Sequence, residues 1–164
     1  MNTGQSLITI AAMMLLSVLV LRINSTILNT DRVVQDSKFG LLATSMATSM
    51  IEEASNKSFD ANTDSINVTN LSQLTPPSKL GPESGEVYPN FDDVDDYNGY
   101  TRIDSSMPSA IFKISCSVAY VSSSSPNVIS NIATWNKKVT VTISSISMQD
   151  TVTMSSIFSY WYFR

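Results

Sequence analysis

The residues best suited to chemistry lie in one stretch, "FDDVDDYNGY" from Phe91 to Tyr100, where Asp92, Asp93, Asp95 and Asp96 fall within five positions. Like charges this close repel and raise one another's pKa unless a cation relieves them. Carboxylates, a side-chain amide and backbone carbonyls are the hard oxygen ligands that calcium takes. Asp92, Asp93, Asp95, Asp96 and Asn98 therefore form a candidate calcium site. The spacing is not that of an EF-hand. With Asn98-Gly99 at that loop's fifth and sixth positions, Val94 stands first and Ser105 replaces the bidentate glutamate. The competing reading is a solvated acidic turn, with Asn98-Gly99 supplying positive φ. On either reading, Phe91, Tyr97 and Tyr100 are expected to pin the turn to a sheet.

Other chemistry is scarce. The chain has no histidine, which removes the commonest general base and the commonest zinc ligand. No GxSxG elbow, P-loop or CxxC pair occurs. Carboxylates adjacent in sequence rarely flank one substrate as glycosidase chemistry requires. An enzyme is not expected. The single cysteine, Cys116, has no internal disulfide partner and reads as an inert buried hydrophobe. A net charge of −4 is of the wrong sign for nucleic acid, which selects clustered lysine and arginine. Sequons begin at Asn24, Asn56, Asn67 and Asn70, a number expected by chance in a chain rich in Asn, Ser and Thr.

Two kinds of element must position these residues. Up to Arg22 no side chain is charged, and the run is about the ~20 residues that span a bilayer as helix. It lacks the basic head and small-residue cleavage site of a secretory signal. Beyond it, Ile23, Ile27, Val34, Leu41, Leu42, Met46, Met50 and Ala54 recur at helical spacing, as one apolar face would. No proline precedes Pro76, and the interior Gly40 costs a helix only about 1 kcal/mol. One helix is expected over residues 5–55, about 75 Å long. Its first half is apolar all round and needs lipid or other helices. Its second half carries a stripe that needs a folded partner.

That partner is a β-rich C-terminal region. In "SAIFKISCSVAYV", Phe112, Ile114, Cys116, Val118 and Tyr120 share a face. In "KKVTVTIS", Val139, Val141 and Ile143 do the same, and "TVTMSSIFSYWYF" follows as the second arm of a hairpin. Apolar alternating with polar describes an antiparallel sheet covered on one side. In "FSYWYFR", Phe158, Tyr160 and Tyr162 fall on one face and Trp161 and Phe163 on the other, either a central strand or a contact surface for other subunits. The class is α+β. Residues 5–55 are the helix, 56–108 a long variable loop region and 109–164 the antiparallel sheet of a head.

A short polar leader ending at Gly4, then "QSLITIAAMMLLSVLVL", a long helix, a variable loop and a C-terminal sheet: this arrangement resembles type IV pilins and their pseudopilin relatives. Leu7-Ile8 matches the family's Leu-Ile pair, and "FDDVDDYNGYT" looks like a stretch common in prepilin-like heads. The resemblance implies that residues 1–4 are a leader, cut between Gly4 and Gln5 by a prepilin peptidase that methylates the new amine. It implies a subunit held in the inner membrane and then moved by pilus assembly machinery into a homopolymeric cell-surface filament. Leu7, Ile8, Thr9, Leu15, Leu16, Leu19, Ile23, Ile27, Val34 and Leu41 would lie in the filament core. A minor pilin, a secretion pseudopilin and a monomeric membrane-tethered binding module are the alternatives.

Three positions depart from the family pattern. Thr9 stands where a glutamate usually pairs with a neighbouring subunit's amine, and a hydroxyl brings no charge to that contact. No lysine or arginine precedes the cut, and no cysteine pair staples the C-terminal loop. If Met1 is the mature start, Gln5 takes the fifth position and the carboxylate is still missing.

Overall fold

The computed structural model describes residues 3–63 and 67–162. Its first element, α1, is a single α-helix over Thr3–Ser55. Gly40 does not interrupt it, as its small helix penalty allows. The helix stops in a tightened turn, where Asn56 and Lys57 donate to the carbonyls of Glu53 and Ala54. The Asn56 amide and the Ser55 hydroxyl both donate to the Glu52 carbonyl. Carbonyls that a helix end leaves without intrahelical partners are thus satisfied locally.

The chain divides into two compact units, Met1–Lys38 and Phe39–Arg164. In the first, none of the described residues is buried. Its hydroxyl side chains turn back on their own helix: Ser17 donates to Met13 O, Thr26 to Arg22 O and Ser37 to Val33 O, at 2.8–2.9 Å. Such back-bonding satisfies a hydroxyl without solvent. From Leu7 to Leu21 the helix therefore presents apolar side chains and self-satisfied hydroxyls on every side, and from Arg22 to Lys38 charged side chains join them. It is long and apolar enough to cross a membrane.

In the second unit, residues 39–55 of α1 pack on an antiparallel sheet. Ala43, Ala47, Met50 and Ala54 are buried, at the four-three-four spacing of one helix face. Three of the four are alanine, packed in one core with the inner face of the sheet. Met50 and Ala54 of the expected stripe are buried, and Ala43 and Ala47 join them. Leu42 and Met46 flank the contact, but Leu41 is 73% exposed, because two residues along a helix turn it to the far side of Ala43. Ile23, Ile27 and Val34 lie in the first unit and are likewise uncovered.

The sheet runs in the order β1 (Thr101–Asp104), β2 (Phe112–Ser122), β4 (Asn136–Ser145) and β5 (Val152–Ser159), with β3 (Ser125–Ile129) also paired to β2. It is five-stranded and antiparallel throughout. The class is α+β, as the alternation predicts. Register places Ile114 opposite Ile143, Cys116 opposite Val141 and Val118 opposite Val139, and all six side chains are buried. β4 and β5 form the expected hairpin. The sheet begins at Thr101, inside the segment expected as loop, because β1 is only four residues with little apolar patterning. β3 is exposed along its whole length and carries no period-two signal.

The C-terminal aromatics are not a two-faced strand. β5 ends at Ser159 and Tyr160–Tyr162 form a single 3-10 turn. Tyr160 is buried, stacks on Trp135 with ring centroids 5.3 Å apart, and accepts a hydrogen bond from the Val68 amide. Trp161 is exposed. Phe163 and the Tyr162 side chain lie outside the described residues. The strand stops because Tyr160 turns to cover a second small core with Phe59, Val68, Leu74 and Tyr120.

Candidate functional site

The acidic stretch folds around its own side chains. Asp93 Oδ1 accepts the amides of Asp95 and Asp96, while Asp96 Oδ2 accepts those of Asp92 and Asp93 at 3.0 and 3.2 Å. Aspartate favours such turns because its short carboxylate reaches backbone N–H groups two or three residues away. The turn is docked by a parallel bridge, in which Ser58 donates to Asp92 O and receives from the Val94 amide. Tyr97 donates to Glu53 Oε1 of α1 at 2.9 Å. Phe91 meets the rings of Tyr97 and Tyr100 edge-on, so these three aromatics do pin the turn as expected.

The solvated-turn reading is overturned. Asp93 and Asp96 are fully buried and Asp95 is 1% exposed; only Asp92 faces water. Nor does the pair Asn98-Gly99 share positive φ. Gly99 alone has it, at +79°, while Asn98 is extended at −72°. The Asn98 side chain is a bracket instead, donating to Leu80 O and accepting from the Val118 amide at 2.9 and 3.0 Å.

Of the five expected ligands, three gather, while Asp95 and Asn98 are engaged elsewhere. Asp92, Asp93 and Asp96 each offer a carboxylate oxygen, all three within 4.8 Å of one another. Asp96 belongs also to a second trio of that kind with Glu83 and Glu86. Asp95 points elsewhere. It accepts from Lys137 Nζ, which also donates to Asp60 Oδ2 at 2.8 Å and to Phe59 O at 2.7 Å. Lys137, Asp60 and Asp95 are all shut off from water. The ammonium lies 4.5 Å from the Phe59 ring centre and 5.2 Å from that of Tyr120. Asp60 is further held by the Thr75 amide and hydroxyl, and Tyr120 donates to Thr75 O.

Electrostatics follow from this division. Burial disfavours ionised Asp60, but the Lys137 charge and the hydrogen bonds outweigh it and hold the carboxyl below its ordinary value. Burial lifts Asp95 to about 6 despite the same lysine. Asp93 rises to about 8, first through burial and then through repulsion by Asp95 and Asp96. Asp96 is also raised, chiefly by burial. The arrangement is suited to holding positive charge. Cys116 is a poor nucleophile here, because burial pushes its thiol up to about 11.

Asp60 and Lys137 were not expected from the sequence. A signal for Lys137 was present: it falls in phase with Val139, Val141 and Ile143, on the inward face of β4. A lysine in that phase needs a buried carboxylate. Asp60 gives no comparable signal in its loop. The remaining sequence-derived residues lie on α1. Gly4, Gln5, Leu7, Ile8, Thr9, Leu15, Leu16 and Leu19 are all exposed, and the Thr9 hydroxyl donates to Ser6 O of its own helix. No model of a known protein family, no curated protein and no solved structure matches this chain.

Proposed function

We propose that this protein is the structural subunit of a type IV pilus-like filament, built by packing the apolar N-terminal helices of many copies. One observation carries the reading: among the described residues of the Met1–Lys38 unit, no apolar side chain is buried. Leu7, Ile8, Leu15 and Leu16 are each more than 60% exposed. An apolar surface of this extent needs lipid or protein around it. The same helix continues without a linker into the α+β head, the layout that the resemblance to type IV pilins implies. Lipid would cover the helix before assembly and neighbouring helices afterwards, with close packing and many copies holding the fibre. The head does no catalysis in this reading.

Thr9 gives weight to a second reading, a minor pilin or secretion pseudopilin. Its hydroxyl is committed to Ser6 O and offers no charge to a neighbour's amine. Both readings differ from a monomeric tethered module in requiring self-association.

The test is electron microscopy of sheared surface material, with N-terminal sequencing of what it contains. Filaments made of this chain, starting at Gln5 with a modified amine, are expected. Leu15→Asp should abolish them, since a carboxylate at that depth has no partner. Normal filaments from Leu15→Asp would overturn the packing scheme, and an intact Met1 would overturn the cleavage between Gly4 and Gln5.

A further inference from the structure

We infer that the acidic turn of the head binds a calcium ion, held by Asp92, Asp93 and Asp96 and approached by Glu86. This inference concerns the head alone and stands whether or not the chain forms filaments.

The first ground is geometric. Asp93 and Asp96 each use one oxygen to organise the turn, accepting backbone amides. Of the three buried carboxylate oxygens with no hydrogen-bond partner among the described residues, Asp95 Oδ2 belongs to the Lys137 cluster, and the other two are Asp93 Oδ2 and Asp96 Oδ1. A buried carboxylate oxygen without a partner forfeits its hydration with nothing in return. The oxygens that Asp92, Asp93 and Asp96 offer lie within 4.8 Å of one another. Ligand oxygens 2.3–2.6 Å from a shared calcium ion span about that separation when they lie on opposite sides of it.

The second ground is charge. Among the described residues the head buries four carboxylates, Asp60, Asp93, Asp95 and Asp96, against one ammonium, Lys137. Lys137 is engaged by Asp60 and Asp95, and among the described residues neither Asp93 nor Asp96 has an ion-pair partner. Buried charges are ordinarily paired or coordinate a metal. The second trio, Glu83 and Glu86 with Asp96, extends the carboxylate set towards the exposed side. Water there completes the six to eight oxygens that calcium takes, whereas magnesium demands a tighter octahedron and gives up its own water reluctantly. The ion would join the 83–86 segment to the acidic turn, and through Asp96 to the backbone of Asp92 and Asp93. Protons on Asp93 and Asp96 are the competing way to satisfy these atoms, and the experiment separates the two.

The full chain, purified in detergent micelles and stripped with EGTA, is titrated calorimetrically with calcium chloride, and its melting is followed with calcium, with magnesium and with EGTA. The expected result is stoichiometric binding and a melting temperature raised by several degrees in calcium only. Asp96→Asn keeps an oxygen for the Asp92 and Asp93 amides and should bind at least about tenfold more weakly. Asp92→Asn changes an exposed side chain, leaves the fold unthreatened, and should weaken binding in the same direction. Superimposable melting curves in calcium and EGTA would overturn the inference in favour of protonated carboxyls. Equal affinity in both variants and the parent would reduce the binding to diffuse surface charge, and equal stabilisation by magnesium would remove the assignment to calcium.

Discussion

Lys137 on β4 and Asp60, five residues past the end of α1, meet at 2.8 Å between Nζ and Oδ2 with both side chains fully excluded from water. The contact joins positions 77 residues apart in a head whose one cysteine is free. It therefore ties the chain leaving the helix to the centre of the sheet. Buried ion pairs owe their geometry to every hydrogen bond around them, and removing one partner leaves the other charge stranded.

Replacing the lysine is the direct probe of that tie. Lys137→Met strands Asp60 and Asp95 and should destabilise the head by about 3–5 kcal/mol. The combined variant Lys137→Met, Asp60→Asn, Asp95→Asn removes the charges together and should recover a substantial part of that loss. Chemical denaturation of the detergent-solubilised chain measures both. A single variant within about 0.5 kcal/mol of the parent, the range of an ordinary surface substitution, would mean that the triad does not hold the fold.

Asp60 also predicts an acid limb in the stability curve. Its folded pKa lies below the unfolded 3.8. Its ionised form thus contributes fully above that value, and the contribution is lost as pH falls through the folded pKa. Asp60→Asn should be clearly less stable than the parent near about pH 5, with the gap closing towards about pH 2. Urea unfolding across that range checks it. A gap independent of pH would assign the loss to packing rather than to charge.

The small residues facing the sheet give a third prediction. Ala47 has no exposed surface, and Ala47→Leu should force the helix off the sheet at a cost of about 1–3 kcal/mol. Leu41→Ala, on the uncovered side, should change head stability by less than about 0.5 kcal/mol. Thermal melting of both variants in the same detergent compares them. Equal effects would mean that the helix packs through a different face.

What could be read beforehand followed from periodicity. Phe112, Ile114, Cys116, Val118 and Tyr120 alternate strictly and are all buried, so the α+β class and the central strands were legible. The helix stripe was right at Met50 and Ala54 but took in Leu41 and missed Ala43 and Ala47, because large residues dominate a hydropathy pattern. The 3-10 turn at Tyr160 was hidden because an unbroken run of aromatics, the residues that favour strands, follows directly on β5. Within the acidic stretch, composition identified the aspartates but not their directions. Which of them faces Lys137 depends on backbone turns set by the side chains themselves, through contacts that no residue spacing encodes.

The Lys137–Asp60 contact and the Ser58–Asp93 bridge have a mechanical side. A pull applied at the N-terminal helix and resisted at the C-terminal strands enters the sheet where residues 58–60 are fastened, close behind the last turn of α1. The residues between Ser58 and Asp93 bear no tension until that bridge parts. They are hidden length, and the force at which the head first yields is set by one buried ion cluster and a two-bond bridge rather than by the unzipping of β-strands.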